Sequence, residues 1–350
     1  MQIVTVNATK TYDVLIGASL LERVGEISRK RIGACNCVII TDTNVDKLYS
    51  KVVESSLSNA GYKVSKFVFE AGEKSKNAQT LIDILEFMAQ KELTRSDCVF
   101  ALGGGVVGDI AGFASAIYLR GIKFIQIPTT LLAAVDSSVG GKTGIDLCAG
   151  KNLAGAFHQP SLVICDYSTL DTLTNDIFSD GCAEVIKYGV INDASLFELV
   201  NNGVHENIEE IILHCVRNKS TIVAKDEFDN GCRQLLNLGH TVGHAIEKCS
   251  NYAISHGSAV SIGMVIVMRA AVSLGYCRSD AFDKLVSLLK KVNLPTTCDY
   301  TAKQLASVCL SDKKRKGDTI TLVVPHSIGD TRLIPVHTDD IESFIEKGLN

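Results

Sequence analysis

Between residues 37 and 166 the chain repeats one pattern: an apolar run of strand length, a polar or glycine-rich stop, then a helical periodicity. Residues 37–41 (Cys-Val-Ile-Ile-Thr) show no alternation of apolar and polar side chains, as expected of a strand covered on both faces. They end at Asp42, and Val45, Leu48, Val52 and Val53 follow at helical spacing. The pattern recurs as strand 64–69 and helix 79–88, then strand 98–102 and helix 106–117, then strands 124–127 and 162–165. An opening hairpin over 3–6 and 13–16 and a helix over 20–29 precede it. Strand and helix in turn demand a parallel sheet with helices on both faces, which binds ligands beyond the C-terminal ends of its strands.

From about Thr172 the periodicity becomes almost wholly helical, over 177–190, 196–201, 208–224, 233–248, 259–274, 281–292 and 305–310. Strand-like patches at 319–324 and 332–335 precede a last helix. The expected organisation is an α/β domain over 1–172 and a mainly helical domain over 173–350, with the active site in the cleft between them. With 46% hydrophobic and 21% charged residues, 350 residues suffice for two cores. A net charge of -4 gives no electrostatic case for nucleic acid or an anionic membrane, so any bound anion must be held by local lysines and arginines. The longest apolar run, 259–268, stops at Arg269 and is too short to span a bilayer. Twelve cysteines lie scattered through hydrophobic stretches without a Cys-x-x-Cys pair, which reads as reduced thiols in a cytoplasmic protein.

Each strand end carries a segment suited to a ligand. Gly103-Gly104-Gly105-Val-Val-Gly108-Asp109 places Gly-x-Gly-x-x-Gly directly between a strand and a helix, where backbone amides can approach a pyrophosphate. The motif follows a middle strand, and no acid lies about 20 residues beyond it, so Asp42 at an earlier strand end is the candidate ribose carboxylate. The same glycines also suit a tight structural turn. A helix opens at Pro128-Thr129-Thr130 and ends near Asp136. Lys142 in Gly-Gly-Lys-Thr-Gly is not a P-loop lysine, because the leading glycine would fall on Asp136. Lys142 and Lys151, both in glycine-rich loops, read as an anion clamp rather than as solvated turn residues.

In the second half His240-Thr-Val-Gly-His244 sets two imidazoles on one helical face, which can share a metal or divide ligand and proton-carrier roles. It is not a metalloprotease signature, since Thr241 stands where the general base belongs, and the spacing also suits two satisfied structural histidines. Glu184 and Lys187, three apart among Val185, Ile186 and Val190, read as a half-buried pair serving one site. Glu184, His240 and His256 supply one carboxylate and two imidazoles, a set that leaves zinc an open position. Lys187, Lys219, Arg233 and the 313–316 basic run suit a small phosphate or carboxylate ligand.

These residues, in order and over nearly the whole chain, resemble the 3-dehydroquinate synthase family. The resemblance rests on Glu73-x-x-Lys76, Gly103 to Asp109, Tyr118-Leu-Arg120-Gly and Pro-Thr-Thr130. It continues through Asp136-Ser-Ser-Val-Gly-Gly-Lys142, Gly-Lys151-Asn152, Ala-Glu184-Val-Ile-Lys187-Tyr-Gly, Arg233 to Glu247, His256-Gly and Asp312-Lys313-Lys314. It implies a Rossmann-like first domain and conversion of 3-deoxy-arabino-heptulosonate 7-phosphate to 3-dehydroquinate and phosphate in the shikimate pathway. The reaction would use NAD and one divalent metal, zinc before cobalt. It implies a metal held by Glu184, His240 and His256, and NAD contacts from Asp42, Asn44, Glu73, Lys76, Gly103, Gly104, Gly105, Asp109, Thr129, Thr130, Lys151 and the segment Thr169, Leu170, Asp171, Thr172. Substrate would be held by Asp136, Lys142, Asn152, Lys187, Lys219, Arg233, Asn237, His256 and one or both of Lys313 and Lys314, with Arg120 reaching the neighbouring site of a homodimer. The implied catalytic set is His244 as proton relay, Asp229, Lys142, Asn152 and Glu184. Asp229 stands where the family usually has glutamate, with Glu227 as a partial substitute. The rival readings are a metal-dependent NAD polyol dehydrogenase and another sugar-phosphate cyclase; the run Arg233-x-Leu-Leu-Asn237 before Gly-His favours dehydroquinate formation.

Overall fold

The structure is a computed structural model, and it describes residues 1–310, 315–316 and 318–350. The chain divides into two compact units: Met1–Leu173 with Cys215–Phe228, and Thr174–His214 with Asp229–Asn350.

In the first unit the strands β1 (Gln2–Val6) and β2 (Tyr12–Gly17) form the opening hairpin, and α1 (Val24–Ile32) follows. Then come β3 (Asn36–Asp42), a single turn α2 (Thr43–Val45), α3 (Lys51–Asn59), β4 (Lys63–Phe69) and α4 (Ala78–Gln90). The sequence continues through β5 (Cys98–Gly103), α5 (Gly105–Ile117), β6 (Lys123–Pro128), the hairpin β7 (Lys142–Leu147) and β8 (Gly150–Phe157), and β9 (Leu162–Asp166). Seven strands form one sheet in the order β1-β2-β9-β6-β5-β3-β4, parallel from β2 onward.

The uninterrupted apolar character of β3 is explained by its two faces. Cys37 and Ile39 pack toward Val53, Leu57 and Phe100, whereas Val38 and Ile40 pack toward Ile84, Met88 and Val107. Each fully buried Ile or Val contributes about 1.5–3 kcal/mol by leaving water. Because β4 lies on one side of β3 and β5, β6 and β9 on the other, the winding reverses between β3 and β5. That reversal opens a crevice at the C-terminal ends of these two strands, where open α/β sheets bind ligands. Asp42 ends β3 and Gly103 ends β5, so the glycine turn after a middle strand sits beside the reversal.

The second unit opens with α6 (Asn175–Asn192) and α7 (Ala194–Asn201), followed by α8 (Ile208–Lys225), whose later turns belong to the first unit. It continues with α9 (His240–Cys249), α10 (His256–Ser273), α11 (Ser279–Lys291) and α12 (Ala302–Cys309). A small antiparallel sheet of β10 (Arg315–Lys316), β11 (Thr319–Ser327) and β12 (Asp330–His337) precedes α13 (Ile341–Leu349). Helix α10 is the core of this unit; among the described residues it is the one helix long and apolar enough to cross a membrane, and 72% of it is buried. Arg269 on α10 donates to the backbone oxygens of Gly348 and Leu349 and so caps the end of α13.

Three expectations change. Lys142 and Lys151 lie on the paired strands β7 and β8, not in loops. The expected helix over 233–248 is two pieces, a 3₁₀ turn Cys232–Asn237 and α9, separated at Gly239, whose φ of +76° leaves the right-handed region. The segment Cys215–Phe228 compacts with the first unit. There Ser220 Oγ donates to Thr5 O and the Glu227 carboxylate accepts from Thr9 N at 2.6 Å, from Thr9 Oγ1 at 2.7 Å and from Gln159 Nε2 at 2.9 Å. Those bonds give Glu227 a structural partner set of its own, separate from any substitution for Asp229.

Candidate active site

In the second unit three helices converge on one carboxylate. Glu184 sits mid-way along α6, 1% exposed, and His240 and His256 are the first residues of α9 and α10. Their Nε2 atoms lie 3.4 and 3.3 Å from Glu184 Oε1, and one ligand atom from each residue falls within 4.8 Å of the others. Lys187, one turn along α6 and 1% exposed, is ion-paired with Glu184 Oε2. The pair is thus fully buried, deeper than the half-buried position expected. Burial alone would push the Glu184 carboxyl up, but the Lys187 ammonium and then His240 and His256 outweigh it and hold it well below the usual carboxylate range.

The outer nitrogens of both rings are occupied. His240 Nδ1 lies 3.0 Å from Leu238 O, and His256 Nδ1 lies 3.3 Å from Glu247 Oε2. A carbonyl or carboxylate can only accept, so each ring carries a proton on Nδ1 and turns Nε2 inward; the His240 Nε2 offers a lone pair there, whereas a metal at His256 would have to displace the Nε2 proton that the two flanking carboxylates favour. Burial lowers the His240 pKa, with Glu184 opposing only in part. For His256 burial also lowers it, but the bonds to Glu184 and Glu247 win and carry it up to about 10.

Glu184 Oε2 is engaged by the Lys187 ammonium, but Oε1 is buried facing the two imidazole nitrogens without a well-formed hydrogen bond. An anionic oxygen left in that condition, facing two imidazole nitrogens, fits a divalent cation better than it fits a closed polar network.

His244 stands one turn beyond His240, its ring centroid 5.4 Å from that of His240 and 6.0 Å from that of His256. Arg233, 1% exposed, and Asn237 lie on the 3₁₀ turn before α9. Asp229 precedes that turn with φ +60°, a left-handed conformation that short Asp tolerates better than most residues. Lys313 and Lys314 lie outside the described residues.

In the first unit the residues expected at the nucleotide site gather at strand ends. Asp42 caps the turn after β3, its Oδ1 accepting from Asn44 N and Val45 N, both at 2.9 Å. Gly103 closes β5, Gly104 caps α5 with bare backbone, and a Cβ on Gly104 would meet Thr130 Cγ2 at 3.0 Å. Thr129 follows β6, and its Oγ1 is buried without a partner among the described residues. An unused hydroxyl beside a bare helix N-terminus at the winding reversal fits a pyrophosphate-bearing cofactor such as NAD.

Lys76, 4% exposed, donates to Asp109 Oδ2 and to Asn152 Oδ1, both at 2.6 Å. Burial alone would lower the Lys76 pKa, but Asp109 and Glu73 reverse the shift and raise it; burial raises that of Asp109, only partly opposed by Lys76. Glu73 pairs with Lys151 at 3.5 Å, and Lys219 donates to Asp136 O at 2.7 Å and pairs with its carboxylate. Lys142 is exposed at the start of β7. Thr169, Leu170, Asp171 and Thr172 lie on a 3₁₀ turn after β9, tied to the Tyr49 hydroxyl through Thr169 O. Arg120 is exposed, and it and Leu119 both have positive φ, 68° and 49°.

Nothing in the sequence alone gives Glu247 a role, although it sits at i+7 from His240 on the same helical face. Asp146 was also passed over: its Oδ1 accepts from Asn152 N at 2.8 Å and holds Asn152 at φ +53°. An acid six residues before an asparagine in a glycine-rich stretch gives no readable signal.

The fold is that of the sugar-phosphate cyclases. A 2-deoxy-scyllo-inosose synthase structure complexed with carbaglucose-6-phosphate, NAD+ and Co2+ superposes with a TM-score of 0.89 at 24% identity, covering 99% of this chain and 100% of that one. A 2-epi-5-epi-valiolone synthase from Streptomyces hygroscopicus with NAD+ and Zn2+ bound gives 0.89 and 24%, covering 99% of each. Residues 66–180 match the family model for the 3-dehydroquinate synthase N-terminal region, and residues 181–315 match that for the C-terminal region. A 3-dehydroquinate synthase of Clostridium acetobutylicum is 42% identical over 342 residues, 96% of each chain. The chain belongs to the 3-dehydroquinate synthase family.

Proposed function

We propose that the chain converts 3-deoxy-arabino-heptulosonate 7-phosphate to 3-dehydroquinate and phosphate, using NAD and one divalent metal, zinc or cobalt. The observation that carries the reading is the buried Glu184 carboxylate facing the Nε2 atoms of His240 and His256. Bound in their places, the metal supplies a Lewis acid that polarises substrate hydroxyls and NAD supplies a hydride acceptor that takes the hydride and returns it.

In the second unit Glu184, His240 and His256 hold the metal, Lys187, Arg233 and Asn237 hold anionic and hydroxyl groups, and His244 and Asp229 move protons. Lys187 also keeps Glu184 charged, as a ligand must be. In the first unit Asp42, Asn44, Glu73, Lys76, the glycines 103–105, Asp109, Thr129, Thr130, Lys151 and 169–172 contact NAD. Asp136, Lys142, Asn152 and Lys219 contact substrate. We further propose a cytoplasmic homodimer in which Arg120 serves the neighbouring copy. Its support is an exposed arginine held out by two successive left-handed residues, a conformation that costs free energy and persists where function requires it.

The deciding assay is phosphate release from the heptulosonate phosphate with NAD and zinc. Release without net NADH is expected; NADH accumulating in step with substrate would favour a polyol dehydrogenase instead. His256→Ala should lose metal and activity while keeping the native circular dichroism, and stoichiometric zinc in that variant would sink the ligand assignment.

A further inference from the structure

Helix α9 turns His240, His244 and Glu247 toward one side, at positions i, i+4 and i+7. The metal reading uses the first as a ligand and the second as a proton carrier, and leaves Glu247 without a task. Yet Glu247 is 2% exposed, and a carboxylate is not buried without a charged or hydrogen-bonded purpose. Its Oε2 lies 3.3 Å from His256 Nδ1, on the edge of the ring opposite the Nε2 that faces Glu184. His256 itself is the first residue of α10 and its side chain is 31% exposed, more open than His240, which is 12% exposed and held by Leu238 O from the turn just before its helix.

We propose that Glu247 is the positioning carboxylate of the metal centre: it accepts Nδ1–H from His256, fixes that ring's orientation and tautomer, and so presents Nε2 to the metal. The inference rests on the metal reading given above. It makes α9 contribute twice, once through His240 directly and once through Glu247 acting on the ligand of another helix. Carboxylates that bind a metal-ligating imidazole in this way change metal affinity about 10–100-fold when removed. His244, Glu247 and His256 also bring their ligand atoms within 4.8 Å of one another, so a second metal seated on Glu247 is the competing account.

Cobalt(II) titration of metal-stripped full-length protein, followed by visible absorption and by competition with a chromophoric chelator, separates these. The expected result is one equivalent bound by native protein, none by His256→Ala, and one equivalent bound about 10–100-fold more weakly by Glu247→Ala with a shifted cobalt spectrum. Glu247→Gln keeps an accepting oxygen and the side-chain shape, and should fall between. If Glu247→Ala does not fold, Glu247→Gln decides alone: a several-fold weaker site supports the assignment and a native-like one overturns it. Native-like affinity in Glu247→Ala removes the Glu247 role and leaves the metal site standing. Two equivalents in native protein, one of them lost in Glu247→Ala, make Glu247 a ligand and overturn the positioning role. A native protein that binds no cobalt removes the metal reading and this inference with it.

Discussion

Lys76 holds structure together at a proposed cofactor site. Its ammonium is buried between Asp109 and Asn152, each 2.6 Å away, in a region otherwise made of glycine turn and strand ends. Replacing it by Met leaves the Asp109 carboxylate without its nearest counter-charge, and breaking a buried pair from one side costs more than the pair itself contributes. Lys76→Met should therefore lower stability by about 3 kcal/mol in urea unfolding, and the double variant Lys76→Met, Asp109→Leu should recover most of that loss. A double variant no more stable than the single one would show that the pair is not the relevant interaction. Glu184 and Lys187 follow the same physics one level deeper, which is why a carboxylate at 1% exposure stays ionised.

Among the elements, the contact between α9 and α10 sets the spacing of His240 and His256, the proposed metal ligands, because each helix opens with one of them. The two approach through glycines: a Cβ on Gly263 would lie 2.1 Å from Gly239 O and 2.9 Å from Gly243 N, and one on Gly239 would lie 2.6 Å from Val260 O. Gly263→Ala must push the helices apart, and overpacking of this kind costs about 1–3 kcal/mol. Reduced stability together with weaker cobalt binding is the expected outcome; a destabilised variant with native cobalt affinity would separate helix spacing from ligand spacing.

This contact also marks where the sequence could be read and where it could not. The strands β3, β5 and β9 were readable because both faces are buried and their apolar runs are unbroken, and β6 because a single buried Gln126 interrupts an otherwise apolar run. The Glu184, His240 and His256 set was readable by residue type. The hairpin β7–β8 was not, since Gly144, Gly150 and Gly155 interrupt any alternation over 142–157. Glu247 was not either, because its partner arrives only when α10 packs back on α9. The break at Gly239 was hidden by an apolar pattern that continues in phase across it.

At the scale of the whole molecule the units are not consecutive lengths of chain. The path leaves the first unit after Leu173, returns to it at Cys215 and leaves again after Phe228. The returning segment brings Lys219 to Asp136 and Glu227 to Thr9 and Gln159. A fragment ending at Leu173 thus lacks Lys219, the ammonium paired with Asp136, and should expose apolar surface, detectable as dye binding and fast proteolysis. Supplying a 215–228 peptide should slow that cleavage, and a fragment already as resistant as the full chain would show that the segment is dispensable. A gene cut once, anywhere, cannot part the two units cleanly, since a cut after Leu173 leaves 215–228 with the wrong half and a cut after Phe228 carries 174–214 along, so recombination at a single point has no clean seam to use here.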